Sequence, residues 1–168
     1  MRKIVIGILA ALILSFTLLG CGETKPLNVK KVTYACYVGD PRGIYVTVVS
    51  DDLSIKWYEV YPETNYNPNV LEGELPPEDR YTMEEDVISQ EAWDEFVKLL
   101  SEKKFMDLPE DIDLDGVCDG VSRYLKVETD EGSYTVGGYC AGDGRSRAHK
   151  KFSEILKGMG NLRNSKNE

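Results

Sequence analysis

Three runs of alternating apolar and polar residues, separated by tight turns, constrain the fold of this chain most strongly. The first run is VTYACYV (residues 32–38), and the turn sequence DPRG follows it. The second is IYVTVVS (44–50), followed by two aspartates, and the third is LSIKWYEVY (53–61), which contains the last residue before a proline. Alternation with a period of two is typical of strands that bury one face, and such short turns join antiparallel neighbours. The sequence therefore predicts an antiparallel meander over residues 32 to 61.

Two amphipathic helices and a hairpin are predicted in the rest of the chain. Ser89 is a candidate N-cap for the first helix, and VSRYLKVET and SYTVGGYC flank a turn at residues 130–132. Gly158 and Gly160 are expected to end the second helix. The apolar stripes are Trp93, Phe96, Val97 and Leu100 in the first helix, and Ala148, Phe152, Ile155, Leu156 and Met159 in the second.

This order of elements predicts an α+β domain with one antiparallel sheet of about five strands and both helices packed on one face. Residues 62–80 contain four prolines and few apolar positions, so they are expected to be irregular. The short run RYTM, residues 80–83, is expected to rejoin the sheet only briefly.

The first twenty residues have the features of an export signal. Arg2 and Lys3 precede an apolar run over residues 4–19, which is shorter than the roughly 20 residues of a membrane-spanning helix. The run ends in LLGC and resembles the lipobox of bacterial lipoproteins, which are cleaved before a cysteine that receives a diacylglycerol. An uncleaved anchor and an ordinary secretory signal are the alternatives.

The resemblance implies that Cys21 is lipidated and that the protein is anchored to the outer face of the cell membrane by lipid alone. The expected organisation is a signal peptide (1–20), the lipidated cysteine and a short tether (21–28), one domain (29–160) and a polar tail (161–168). FMDLPEDI, the following DG and VGGYC are similar to segments of small Gram-positive lipoproteins, a group with no activity to transfer.

The charge of the chain excludes some partners. Removal of residues 1–20 takes away two basic and no acidic residues, so the formal net charge falls from −9 to −11. An acidic domain of this kind is repelled by nucleic acid and by an anionic lipid surface. The sequence therefore predicts a tethered domain that does not bind nucleic acid.

The acidic stretch DIDLDGVCDG, residues 111–120, has two interpretations. Its oxygen-bearing residues follow the spacing of an EF-hand calcium loop, although Ser122 stands where a bidentate glutamate is expected. The stretch is either an acidic connection whose aspartates bond nearby backbone or a weak calcium site with a dissociation constant of about 0.1–1 mM. The candidate ligands are Asp111, Asp113, Asp115 and Asp119.

The cysteines and the single histidine offer little chemistry. Cys118 and Cys140 flank the predicted hairpin and are candidates for a disulfide; the alternatives are another pairing among Cys36, Cys118 and Cys140, or three free thiols. His149, the sole histidine, is expected on the solvated side of the last helix. Without CxxC motifs or a nucleophile beside a base, neither a cofactor nor an enzymatic activity is predicted.

The ten tyrosines are the most suggestive functional feature. Strand alternation places Tyr37 on the face opposite Tyr34, so Tyr37 with Tyr58 or Tyr45 is predicted to line the helix-free face. Tyrosine also simply favours strands. The leading hypothesis is a non-enzymatic, lipid-anchored module that recognises cell-wall glycan or another envelope protein. The alternative is a small-ligand or calcium-binding lipoprotein that uses residues 111–119.

Overall fold

The computed structural model describes residues 27–39, 43–61, 68–116, 119–163 and 165. They form a six-stranded antiparallel sheet in the order β4-β3-β2-β1-β5-β6, with two α-helices, which confirms the α+β class. The strands are β1 (Val29–Val38), β2 (Ile44–Ser50), β3 (Ser54–Val60), β4 (Tyr81–Val87), β5 (Val121–Thr129) and β6 (Gly132–Tyr139); the helices are α1 (Gln90–Glu102) and α2 (Arg147–Leu162). Within these ranges no helix is long and apolar enough to cross a membrane.

The sheet has one strand more than the predicted five. Residues 81–87 form a complete edge strand that pairs with β3, with Tyr58 opposite Met83 and Val60 opposite Tyr81. Three acidic residues in succession, Glu84 to Asp86, hid its alternation in the sequence. An edge strand tolerates such a composition because little of it is buried.

Both helices pack on one face of the sheet, here called the helix face, as predicted. Ser89 Oγ accepts the Ala92 N–H at 3.2 Å and starts α1, while Ser146 Oγ accepts the His149 N–H at 3.3 Å and starts α2. The helices and the sheet together enclose the main core, which includes Val32, Val49, Ile55, Leu125, Phe96, Leu100, Phe152 and Ile155.

The second helix continues past both glycines that were predicted to end it. It runs to Leu162, whose side chain is 3% exposed, so the predicted tail begins inside a helix. A Cβ atom at Gly158 would lie 2.4 Å from Leu99 Cδ2. Gly158 therefore serves the close approach of α2 to α1, and burial of Leu162 outweighs the low helix propensity of glycine.

The opposite side of the sheet, here called the open face, carries a second and smaller core. Ala35, Ile44, Val46 and Val60 are buried there beneath Val70, which is 2% exposed. Val70 belongs to residues 68–75, here called the cover segment, which contains a 3₁₀ turn at Val70–Glu72. The predicted irregular excursion is thus packed onto the sheet in its described part.

The acidic stretch covers one edge of the sheet. Ile112 N–H donates to Gly137 O and Leu114 N–H to Tyr139 O, both at 2.9 Å, while Gly137 N–H donates to Glu110 O at 2.9 Å. Asp111 pairs with Gly137 in a parallel bridge. Residues 110–114 therefore lie along the outer side of β6 like a short additional strand.

Candidate binding cleft on the open face

Two tyrosines from neighbouring strands meet on the open face. Tyr37 on β1 lies opposite Ser122 on β5, and Tyr124 lies opposite Ala35. The two rings therefore come together diagonally across the strands, edge to face, with centroids 5.8 Å apart and an interplanar angle of 85°. Both rings are half-buried, so each keeps one surface available to a ligand.

These rings form one side of a shallow cleft of about 490 Å³. The start of the cover segment forms the other side. The lining residues are Tyr37, Tyr124, Ser122, Pro68, Asn69 and Leu71. Aromatic and apolar surface with a few polar groups is the usual composition of a site for a small organic ligand, and this volume lies in the usual range.

The ring of Tyr124 lies across a glycine of β6 and approaches the acidic stretch. A Cβ atom at Gly137 would lie 2.4 Å from Tyr124 Cδ1, so only glycine leaves room for this ring. Burial, and then the carboxylates of Asp113 and Asp111, raise the pKa of Tyr124. Tyr124 thereby connects two features that the sequence offered as separate candidates, the tyrosine face and the acidic stretch.

The carboxylates of the predicted calcium loop bond backbone groups. Asp111 Oδ1 accepts the Asp113 N–H at 3.0 Å, and Asp113 Oδ1 accepts the Tyr139 N–H. Among the described residues, no three histidine, cysteine or acidic side chains are grouped so that they could hold a metal ion. Asp115 and Asp119 flank residues 117–118, which lie outside the described ranges, and the calcium interpretation stays a prediction.

The three predicted surface tyrosines do not share one face. Tyr37 and Tyr58 lie on the open face as predicted, and Tyr58 contacts Tyr81 at a centroid distance of 5.9 Å. Tyr45 was placed wrongly: it pairs with Cys36 and lies on the side of the helices. It is 44% exposed there, and Glu59 raises its pKa through charge and a hydrogen bond. The register across the DPRG turn, which the sequence leaves open, decides this.

His149 is buried, contrary to the prediction of a solvated side chain. It is 6% exposed, and its Nδ1 accepts the Gly142 N–H at 3.1 Å. The turn after β6 folds back over the start of α2, and a Cβ atom at Gly144 would lie 2.4 Å from the imidazole Cδ2. Helix periodicity alone does not show that a preceding turn covers this side of α2.

The predicted lipidation and disulfide fall on residues outside the described ranges. Cys21 and Cys118 both lie there, so both assignments stay predictions. Cys36 and Cys140 are free of bonds to each other and to any further described cysteine.

Sequence reasoning missed Tyr124 and the cover segment as parts of a site. Strand alternation places Tyr124 on the face opposite Leu125, but only the β1–β5 pairing, which sets it opposite Ala35, brings its ring to Tyr37. No protein-family model and no curated protein matches this chain.

Proposed function

We propose that this protein is a lipid-anchored, extracytoplasmic and non-enzymatic module that binds cell-wall glycan in the open-face cleft. The observation that carries the proposal is the half-buried, edge-to-face pair of Tyr37 and Tyr124 beside Asn69 and Ser122. The LLGC sequence supports the anchoring, since it resembles the lipobox of bacterial lipoproteins.

The chemistry of the cleft suits a sugar. A sugar ring has apolar C–H faces, which pack on aromatic rings, and hydroxyl groups around its rim, which bond to amides and hydroxyls. Tyrosine buries large contact area at little cost in conformational entropy. Asn69 and Ser122 add hydrogen-bonding groups at the cleft wall.

The charge of the chain narrows the class of glycan. The formal net charge of −9 becomes −11 once residues 1–20 are removed, and Asp111 and Asp113 lie close enough to Tyr124 to raise its pKa. An anionic polymer would be repelled from such a surface. The proposed ligand is therefore an uncharged saccharide of the wall.

The proposed lipid anchoring is consistent with this role. The tether of residues 22–28, fully extended, reaches about 20–25 Å from the lipid. An acidic domain on so short a tether is held near the membrane but repelled from its anionic surface. The domain is then close to wall material above the membrane.

The single histidine of the sequence supplies no general base to this cleft. His149 Nδ1 already accepts a backbone N–H, and the side chain is 6% exposed. It therefore cannot serve a substrate in the open-face cleft as a general base.

Sedimentation of the full chain, in neutral detergent micelles, with insoluble chitin, an uncharged polymer of β-1,4-linked N-acetylglucosamine, tests the proposal. Tyr124→Ala is expected to weaken binding by roughly tenfold, since an aromatic contact is lost. Tyr45→Ala is the matched control, because Tyr45 is an exposed tyrosine on the other face. Unchanged binding by a folded Tyr124→Ala chain would contradict the proposal, as would an equal loss in the Tyr45→Ala chain.

A further inference from the structure

The outer side of β4 carries backbone groups that no other described segment of the chain pairs with. Tyr61 N–H donates to Arg80 O at 2.8 Å, and Ile88 N–H to Leu53 O at 3.0 Å, so the even-numbered residues of this strand face β3. Because bonded pairs alternate along an antiparallel ladder, the N–H and C=O groups of Tyr81, Met83 and Glu85 point outward. The Val87 N–H, next in this series, is bonded by the Asp86 carboxylate at 2.9 Å.

The two edges of the sheet differ in this respect. Residues 110–114 cover the β6 edge with three backbone hydrogen bonds. No other segment of the described chain pairs with the outer side of β4, which stands last in the strand order. An open edge of this kind is a template for another extended chain.

The side chains of β4 differ between the two faces of the sheet. Met83 and Val87 project on the open face and are 49% and 51% exposed, two of the four most exposed large apolar side chains in the described ranges. Glu84 and Asp86 project on the helix face, opposite Trp57 and Ile55 of β3. Glu85 projects on the open face between Met83 and Val87, where its Oε1 lies 3.2 Å from Lys56 Nζ. A strand added at this edge would thus meet two apolar groups and a lysine-paired carboxylate on the open face, and two carboxylates on the helix face.

We propose that β4 binds an extended segment of another envelope protein in which lysine or arginine alternates with an apolar residue. The backbone of that segment bonds the outward groups of Tyr81, Met83 and Glu85. Its basic side chains lie beside Glu84 and Asp86, and its apolar side chains beside Met83 and Val87.

Charge argues against a second copy of this chain as the occupant. Antiparallel pairing of two β4 strands would bring two runs of Glu84, Glu85 and Asp86 side by side. Like charges opposite one another destabilise a strand pair. A basic strand turns the same carboxylates into favourable contacts.

Fluorescence anisotropy of a labelled peptide tests the proposal, with the full chain in neutral detergent micelles. The probe is about as long as β4 and alternates lysine with valine, and saturable binding is expected. Met83→Pro removes one outward N–H without touching the β3 ladder, and should weaken binding by roughly tenfold or more. Met83→Ala, which keeps the N–H, should weaken it less, and Glu84→Lys should weaken it by charge.

Three results would overturn the proposal. The first is that the peptide shows no saturable binding, and the second is that a folded Met83→Pro chain binds it as well as the wild type does. The third is self-association of the chain that Met83→Pro abolishes, because the occupant would then be a second copy. If Met83→Pro does not fold, the test uses the wild-type chain with a probe peptide N-methylated at alternate amides. Undiminished binding of that probe would also contradict the proposal. Tyr124→Ala should leave peptide binding unchanged, which separates this surface from the glycan cleft.

Discussion

Lys126 on β5 reaches across to the cover segment, where its Nζ lies 2.8 Å from Glu72 Oε2 and 3.3 Å from Leu71 O. The lysine side chain is 8% exposed, whereas that of Glu72 is 59% exposed. A nearly buried ammonium group thus connects the sheet to the turn that contributes Leu71 to the cleft. This contact holds one wall of the cleft in place.

Removal of the Glu72 carboxylate should therefore lower the free energy of unfolding more than removal of the Lys126 charge does. Glu72→Ala leaves the buried ammonium group without its closest carboxylate and is expected to lower the free energy of unfolding by about 1–2 kcal/mol. Lys126→Met keeps most of the side-chain volume and removes the charge, so its effect should be smaller. Urea unfolding of both variants measures the difference, and a larger loss in Lys126→Met would refute the account of this pair.

Gly137 is predicted to be essential for the position of Tyr124. A Cβ atom there would lie 2.3 Å from Arg123 O and 2.7 Å from Tyr124 Cα, both backbone atoms that cannot move aside cheaply. Gly137→Ala should destabilise the fold by about 2–3 kcal/mol and weaken glycan binding. Gly160→Ala is the matched control: nothing lies within 4 Å of its added Cβ, and α2 should gain about 0.5–1 kcal/mol. Thermal unfolding of both chains would show opposite shifts.

The cleft tyrosines should make stability fall at high pH. Burial raises the pKa of Tyr37 and of Tyr124, with a further contribution from Tyr124 in the first case and from Asp113 and Asp111 in the second. The fold therefore favours the protonated phenols. Their contribution is fully present below the unfolded value of about 10 and is lost as pH rises through the higher folded values. Tyr124→Phe should make the alkaline loss less steep, and an unchanged profile of unfolding free energy against pH would contradict this.

The charge of Asp113 can be removed while its hydrogen-bond acceptor is kept. In Asp113→Asn, the pKa of Tyr124 should fall toward the ordinary value but stay above it, because burial is the larger cause of the shift. Ultraviolet titration of tyrosinate formation, compared with the Tyr124→Phe chain, isolates this group. No downward change would mean that the carboxylate does not act on the hydroxyl.

Asp113 should also be structurally important without calcium. Its carboxylate accepts the Tyr139 N–H, so Asp113→Ala is expected to cost about 1–2 kcal/mol in chelator as well as in calcium. Asp115→Ala, at an exposed neighbouring aspartate, should change stability by less than about 0.5 kcal/mol. A loss seen only in calcium would instead favour the calcium loop.

Alternation and amphipathic stripes were sufficient to predict the class, the meander, the hairpin and the helix-covered face. These are local patterns with a period that burial on one side imposes directly. The full edge strand β4 was not predicted, because a strand at an exposed edge needs little apolar surface and so shows little alternation. The full length of α2 was not predicted, because Gly158 serves a tertiary contact with Leu99 that local sequence does not reveal.

The candidate cleft could be predicted only in part. The phase of Tyr37 follows from its own strand, but its partner Tyr124 is 87 positions further along the chain and depends on the β1–β5 register. Tyr45 was misplaced because its face depends on another register, that of β1 with β2 across the DPRG turn. The cover segment has few apolar residues, and burial of Val70 became visible only from the shape of the sheet beneath it.

The most direct test of the glycan cleft is an NMR titration of the full chain, in detergent micelles and with labelled tyrosine rings, using a soluble tetramer of β-1,4-linked N-acetylglucosamine. The account predicts saturable shifts at Tyr37 and Tyr124, with Tyr45 and Tyr61 unmoved. Shifts confined to Tyr45 and Tyr61, or no saturable shift at any ring, would contradict the assignment of the open-face cleft as the binding site.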